Sequence, residues 1–223
     1  MKYLGKFFAA SAVLFAVACN NAPTETVETT EAEEVATPEV TEATYAVVTE
    51  GDEVKWEGFK TYSDGKHTGA IQVTEGQLMT EGGNVVGGSF VIDMKSITND
   101  DLPEEGDYNQ AKLIGHLSSA DFFDVANHPT ATFTITKVEA AAEGEATHKV
   151  SGNLNMRGTE KNITFPATIN VEDEMVTLTT PEFVIDRTNW NVMYGSKNLE
   201  SVAKDNLIDN NIKLIVDLKA SKS

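Results

Sequence analysis

Apolar residues recur at every second position along most of this chain, and a period of two restricts it to strands that bury one face and wet the other. Val54, Trp56 and Gly58 alternate with Lys55 and Glu57, and Phe90, Ile92 and Met94 with Val91, Asp93 and Lys95. Ala131, Phe133 and Ile135 are interleaved with threonines; Val150, Gly152, Leu154 and Met156 with Ser151, Asn153, Asn155 and Arg157. Ile163, Phe165, Ala167, Ile169 and Val171 continue the pattern, with Pro166 on the opposite face marking an edge or bulge. Ile212, Leu214, Val216 and Leu218 close it. Turn signals at Ser63-Asp-Gly65, Glu81-Gly-Gly83, Gly87-Gly88, Glu143-Gly144 and Arg157-Gly158 separate the runs. With weaker strands at 70–73, 176–179 and 183–186 the count reaches about eight to ten. A sheet this long curls and closes, which removes its exposed edges. The expected fold is all-β: an antiparallel barrel of about eight strands, its interior either filled by side chains or wide enough for one small ligand. A two-sheet sandwich shares the same periodicity.

One segment breaks the period. From Lys112 to Phe133, Leu113 and Leu117 stand four apart with Ile114 beside them, the spacing of one helix face. Gly115 keeps that helix short. Ser118 and Asp121 have the spacing of a capping box and predict a second turn carrying Phe122 and Phe123, ended by His128-Pro129. So many large apolar side chains need a sheet to cover, so the insert is expected to plug one end of the barrel and border any cavity inside it. Thr98 to Gln110 reads as an acidic loop leading into it, and Met193 to Asn211 as another long loop.

The first forty-four residues differ from the rest. Lys2 and Lys6 precede a twelve-residue apolar run, Phe7 to Ala18, which is too short to cross a bilayer and has the length of a secretory signal core. Cys19, the only cysteine, follows at once, so no intramolecular disulfide is available. Ala16, Ala18 and Cys19 resemble the lipobox of bacterial lipoproteins, with Ala16 where Leu is usual. The resemblance implies removal of residues 1–18 and acylation of Cys19, and two acyl chains suffice for stable anchoring. Residues 20–44 hold seven Glu, seven Thr and two Pro, with no basic or aromatic side chain. Such a segment cannot bury enough apolar surface to order itself, so 19–44 is expected to be a lipidated cysteine on a disordered acidic tether. Fully extended, those twenty-five residues would reach about 80–90 Å. The folded domain is then 45–223. Of the total charge of −18, the signal region contributes +2 and the tether −7, which leaves −13 on the domain. No basic stripe is available to neutralise phosphates, so nucleic acid is not expected as a partner, and an anionic membrane surface would repel the domain.

Catalytic patterns are sparse. His67, His116, His128 and His148 show no metal-ligand spacing, and no cysteine is free to join them. His116 lies within the helical insert and is the first histidine to test. Gly-x-Ser-x-Gly is absent, and no glycine pair leads into a helix with a lysine. Asp186 and Arg187 stand between an apolar strand and Trp190, where they form either an ion pair closing the barrel mouth or a polar group orienting a ligand head.

Six blocks together resemble the YceI-like family of bacterial secreted proteins: 66–69 (Lys-His-Thr-Gly), 88–93, 115–124, 128–133, 152–158 and 186–190. The resemblance spans about Val54 to Lys219. It implies a lipocalin-like barrel that binds a polyisoprenoid, such as an isoprenoid quinone, or another long-chain lipid in an apolar tunnel, with no catalytic residue and no cofactor beyond that ligand. Candidate lining positions, taken from the inward alternation, are Phe90, Ile92, Phe122, Phe133, Leu154, Met156, Phe165, Phe183, Ile185 and Trp190, with His116 and Arg187 as a polar mouth. The implied location is the cell envelope, on a bacterial membrane through acylated Cys19, with a homodimer left open. The competing expectation is a non-catalytic cell-envelope interaction module whose barrel core is full.

Overall fold

The computed structural model describes residues 26–35, 41–51, 53–141, 144, 146–200, 203–204 and 207–223. Within them the chain forms β1 (Glu28–Glu31), β2 (Ala43–Val47), β3 (Glu53–Lys60), β4 (Lys66–Glu81), β5 (Asn84–Asp93), α1 (Gln110–Ser118), β6 (Thr130–Ala140), β7 (His148–Met156), β8 (Thr159–Val171), β9 (Met175–Thr179), β10 (Phe183–Asp186) and β11 (Ile208–Lys222). All strand pairs are antiparallel, and eight strands close a ring in the order β3, β4, β5, β6, β7, β8, β9, β11 and back to β3. The all-β barrel of about eight strands with one short helix is therefore what forms. Inward positions follow the alternation: Val150, Leu154 and Met156 of β7 and Ile163, Phe165, Ala167 and Ile169 of β8 are all buried. Four phenylalanines stack across the interior, with ring centroids 6.5 Å apart for Phe90 and Phe133, 5.5 Å for Phe133 and Phe165, and 4.7 Å for Phe165 and Phe183. Gly152 makes room for this stack, since a Cβ there would lie 2.2 Å from Cζ of Phe133.

β11 is the long strand on which closure turns. Its residue Ile212 pairs with Gly58 of β3 on one side and Ile185 of β10 on the other, while Ala220 pairs with Val47 of β2 and Val176 of β9. The β7–β8 hairpin uses Arg157 and Gly158 at φ 50° and 73°, the double left-handed turn that matches strand twist. Pro166 sits where β8 passes from the partner at 161–164 to the partner at 168–171, so its missing N–H interrupts neither ladder on that side. Two local expectations are corrected. Gly87-Gly88 is no turn but part of β5 beside a register shift, where a Cβ on Gly88 would meet the Gln77 carbonyl oxygen at 2.6 Å. Nor does Ser118 cap a second helical turn. Ser119, already extended, accepts from the Asp121 N–H at 3.3 Å and donates to the His116 carbonyl at 2.8 Å, and the chain leaves α1 in turns.

A third correction concerns the acidic segment read as a tether. Residues 28–31 form β1, which pairs with 161–164 of β8, while the Val27 N–H donates to the Val184 carbonyl of β10 at 2.8 Å. β1 thus fills the wall between β8 and β10, and Val27 packs against the core. The chain then crosses the outer face of β7 and β8, where Asn153 clamps Glu33: its Oδ1 accepts from the Glu33 N–H at 3.0 Å and its Nδ2 donates to the Glu33 carbonyl at 2.7 Å. Asn162 donates to the same Oδ1 at 2.9 Å and to Thr136 Oγ1 at 3.0 Å, and both asparagines are buried. Lys161 holds Glu31 at 2.6 Å. Asn153→Ala should strip partners from two backbone groups and one side-chain amide and lower stability by about 2 kcal/mol, read as a lower urea midpoint. An unchanged midpoint would show that the segment is not clamped.

Candidate functional site

Above the phenylalanine stack, toward α1, the barrel is hollow. A cavity of about 370 Å³ is walled by Val54, Trp56, Ile71, Ile92, Leu154, Met156, Ile185, Ile212 and Leu214 from the strands and by Leu113, Leu117, Phe122 and Phe123 from α1 and the turn after it. A narrower space of about 70 Å³ lies deeper, among Phe90, Phe133, Phe165, Phe183, Leu178 and Leu218. Val54, Ile92, Leu154 and Leu214 border both. Of the positions selected by alternation, Ile92, Phe122, Leu154, Met156 and Ile185 line the larger cavity, and Phe90, Phe133, Phe165 and Phe183 the smaller. Trp190 is the exception. It is fully buried with its indole N–H donating to the Leu154 carbonyl at 2.9 Å, because the 3-10 turn at Arg187–Trp190 rotates it out of the strand's phase.

Phe122 roofs the cavity. Its ring meets His116 at 5.2 Å, Tyr194 at 5.5 Å and Phe123 at 6.1 Å, and the Arg187 guanidinium lies 5.5 Å from its centroid. Arg157 ties this roof to the barrel by donating to the carbonyls of Ala120 and Asn191. His116 and Arg187 both reach the cavity wall. His116 is packed edge-on between Phe122 and Tyr194, and its Nε2 is 3.9 Å from Asp121. Arg187 forms no ion pair among the described residues. It donates to three carbonyls, Asp209 at 3.0 Å, Val192 at 2.5 Å and Ile208 at 3.2 Å. Burial lowers its pKa to about 10 against the opposing pull of Asp186 and Asp209, so it stays charged at neutral pH.

The polar cluster that sequence reasoning missed lies on β4. His67, Gly69 and Ile71 share the inward face, and the other edge of this part of β4 is taken by the loop after β5: the Thr98 N–H donates to the Ala70 carbonyl at 2.9 Å, the Ala70 N–H donates to Thr98 Oγ1 at 3.0 Å, and the Asp100 N–H donates to the Thr68 carbonyl at 2.9 Å. That loop brings Asp101 against His67, with Oδ2 2.8 Å from Nδ1. On the far side of the ring, Tyr108 Oη lies 2.9 Å from Nε2. Asp101 Oδ1 also accepts from the Thr68 N–H at 2.9 Å and from the buried Asn99 amide at 2.5 Å. Desolvation pushes the Asp101 pKa up, but these bonds and the His67 interaction outweigh it and the net shift is downward. Burial, with Asp101 nearby, raises the Tyr108 pKa and keeps the phenol protonated. His67 and Tyr108 both line the larger cavity. The indole N–H of Trp56, in the same wall, is buried without a partner. Among the described residues no three His, Cys, Asp or Glu side chains are grouped to hold a metal ion.

The arrangement defines a class, an antiparallel barrel with an internal apolar cavity roofed by a short helix. The YceI-like domain model matches residues 45–220, and the chain belongs to that family. Among solved structures, a polyisoprenoid binding domain from Saccharophagus degradans superposes with a TM-score of 0.58 at 15% identity, covering 80% of this chain and 98% of that one. BcnA of Burkholderia cenocepacia gives 0.55 at 18% identity, covering 78% and 99%. A UPF0312 protein of Pseudomonas putida strain GB-1 is 45% identical over 64 residues, 29% of this chain and 32% of the relative. One from Azotobacter vinelandii is 43% identical over 61 residues, 27% and 31% of the two chains. The aligned stretch thus spans about a third of these curated relatives.

Arg187→Met should leave three buried carbonyls without donors and cost about 3 kcal/mol of stability, a drop in the urea midpoint with little change in slope. A midpoint near wild type would mean that water replaces the guanidinium at no cost.

Proposed function

We propose that this protein is a membrane-anchored lipoprotein that binds, and carries, a polyisoprenoid such as an isoprenoid quinone, or another long-chain lipid, inside its barrel. The observation that carries the reading is the cavity itself, about 370 Å³ of mainly apolar wall leading toward a narrower apolar space deeper in the barrel. A filled structural core would have no use for that volume. Desolvating an alkyl or isoprenoid chain there yields about 25 cal/mol for each Å² removed from water. The polyisoprenoid binding domain of Saccharophagus degradans, which shares the fold, supports the ligand class. In this reading the chain acts by binding, not by catalysis. Cys19, which lies outside the described residues, supplies the acyl anchor and places the barrel in the cell envelope. Neither the anchor nor the barrel then depends on electrostatic attraction to lipid head groups, which fits the domain's negative charge.

Organic extraction of the purified protein followed by mass spectrometry should release a long-chain lipid at close to one per chain. Phe122→Asp should empty the cavity by placing a carboxylate in its roof, with the fold retained by circular dichroism and the mass of the acylated N-terminus unchanged. Lipid content equal to wild type in that variant would count heavily against the cavity as the binding site. Cys19→Ser should move the protein from the membrane to the soluble fraction, and continued membrane association would rule out the anchor.

A further inference from the structure

Resting on the carrier reading above, we propose that Tyr108, His67 and Asp101 form a head-group subsite that prefers a long-chain lipid ending in a hydroxyl. The proton positions are set by the charge on Asp101. Its carboxylate accepts from Thr68, Asn99 and His67, and the His67 tautomer that fits both ring contacts carries its proton on Nδ1. Nε2 is then a lone pair, and it accepts the phenol hydrogen of Tyr108 across 2.9 Å. With its hydrogen committed inward, the Tyr108 oxygen offers only lone pairs to a ligand. It is an acceptor at the margin of an apolar cavity, and only a donor satisfies it. A long-chain alcohol, phenol or hydroquinone carries one, whereas an ether does not.

Of the other polar groups on the same wall, the Trp56 indole N–H is an unpartnered donor, while the cations Arg187 and Lys66 are already committed. Arg187 is bound to three backbone carbonyls, and Lys66 pairs with Glu57 at 2.9 Å. The loop that presents Asp101 and Tyr108 also carries Asp100, Glu104, Glu105 and Asp107, so a carboxylate or phosphate head meets like charge there. Lys60 is the cation on this wall that an anionic head would have to use. The subsite is rigidly built. Asp101 is fixed by the loop laid along β4, and Tyr108 directly precedes Asn109, whose side chain caps α1 by accepting from the Lys112 N–H at 3.0 Å.

The test uses the full-length protein in detergent, stripped of lipid, with calorimetric titration of three probes that share one chain: geranylgeraniol, its methyl ether and geranylgeranoic acid. Wild type should bind the alcohol about fivefold more tightly than the ether, within the range of a single hydrogen bond. In Tyr108→Phe the alcohol should fall to the ether's affinity while the ether itself is unaffected, which separates a lost head contact from a damaged cavity. Equal binding of alcohol and ether by wild type overturns the subsite but leaves the carrier reading in place. A preference that survives Tyr108→Phe overturns it too, as does tighter binding of the acid, which would assign the head to Lys60. Failure of all three probes to bind removes the carrier reading, and this proposal with it.

Discussion

The whole arrangement depends on one strand being hydrogen-bonded along both edges. β11 runs the height of the barrel and is met by β3 and β2 in succession on one side and by β10 and β9 on the other. Each of those four partners is too short to span the wall alone. Because β11 fixes their register, Ile212, Leu214, Val216 and Leu218 point inward opposite the phenylalanine stack, and the interior acquires a floor. Above that floor the helix leaves space unfilled, since α1 offers only nine residues and places Leu113 and Leu117 at the rim. The hollow is thus a consequence of closure at one end and a short plug at the other.

Polar groups around the hollow are handled in two ways. Arg187 is buried and neutralises no carboxylate directly; its three bonds to carbonyls hold together the turn after β10 and the start of β11. Loss of such a group leaves several acceptors stranded at once. The cluster of His67, Asp101 and Tyr108 is different because it is partly exposed. Its order comes from Asn99, a buried amide that binds both the Thr68 carbonyl and Asp101 and so sets the position of the carboxylate. One group stabilises the barrel, and the other is left with unused hydrogen-bonding capacity facing the cavity.

Alternation made most of this visible beforehand. The strand expected at 183–186 forms with those limits, and nine of the ten residues chosen for the interior border one of the two spaces. The features that escaped notice did so for definable reasons. Past Val73 the phase of β4 slips at a register shift, so its second half no longer alternates with its first. Glu28-Thr-Thr-Glu31 has no apolar stripe at all; it is a strand because β8 offers it an unpaired edge and Asn153 holds Glu33 just beyond it, and neither is local in sequence. The cluster is hidden in the same way. His67 stands 34 residues from Asp101 and 41 from Tyr108, and only the loop laid along β4 brings them together. Its one sequence trace is a histidine on the inward phase of a strand. His116, singled out for lying in the helix, proves to be a packing residue between two aromatic rings.

The incorporation of β1 into the wall also changes the reach of the N-terminus. A chain free from Cys19 to Thr44 could hold the barrel tens of ångströms away from whatever that cysteine is fixed to. With Val27 and Glu28 built into the barrel, the span from Cys19 to Val27 is eight residues, at most about 30 Å even when fully drawn out. A lipid on Cys19 would therefore act as a short hinge and not as a long leash. The barrel would swing within roughly its own diameter of the bilayer, and the first point of strain in any pull on the anchor would be the seam between β8 and β10.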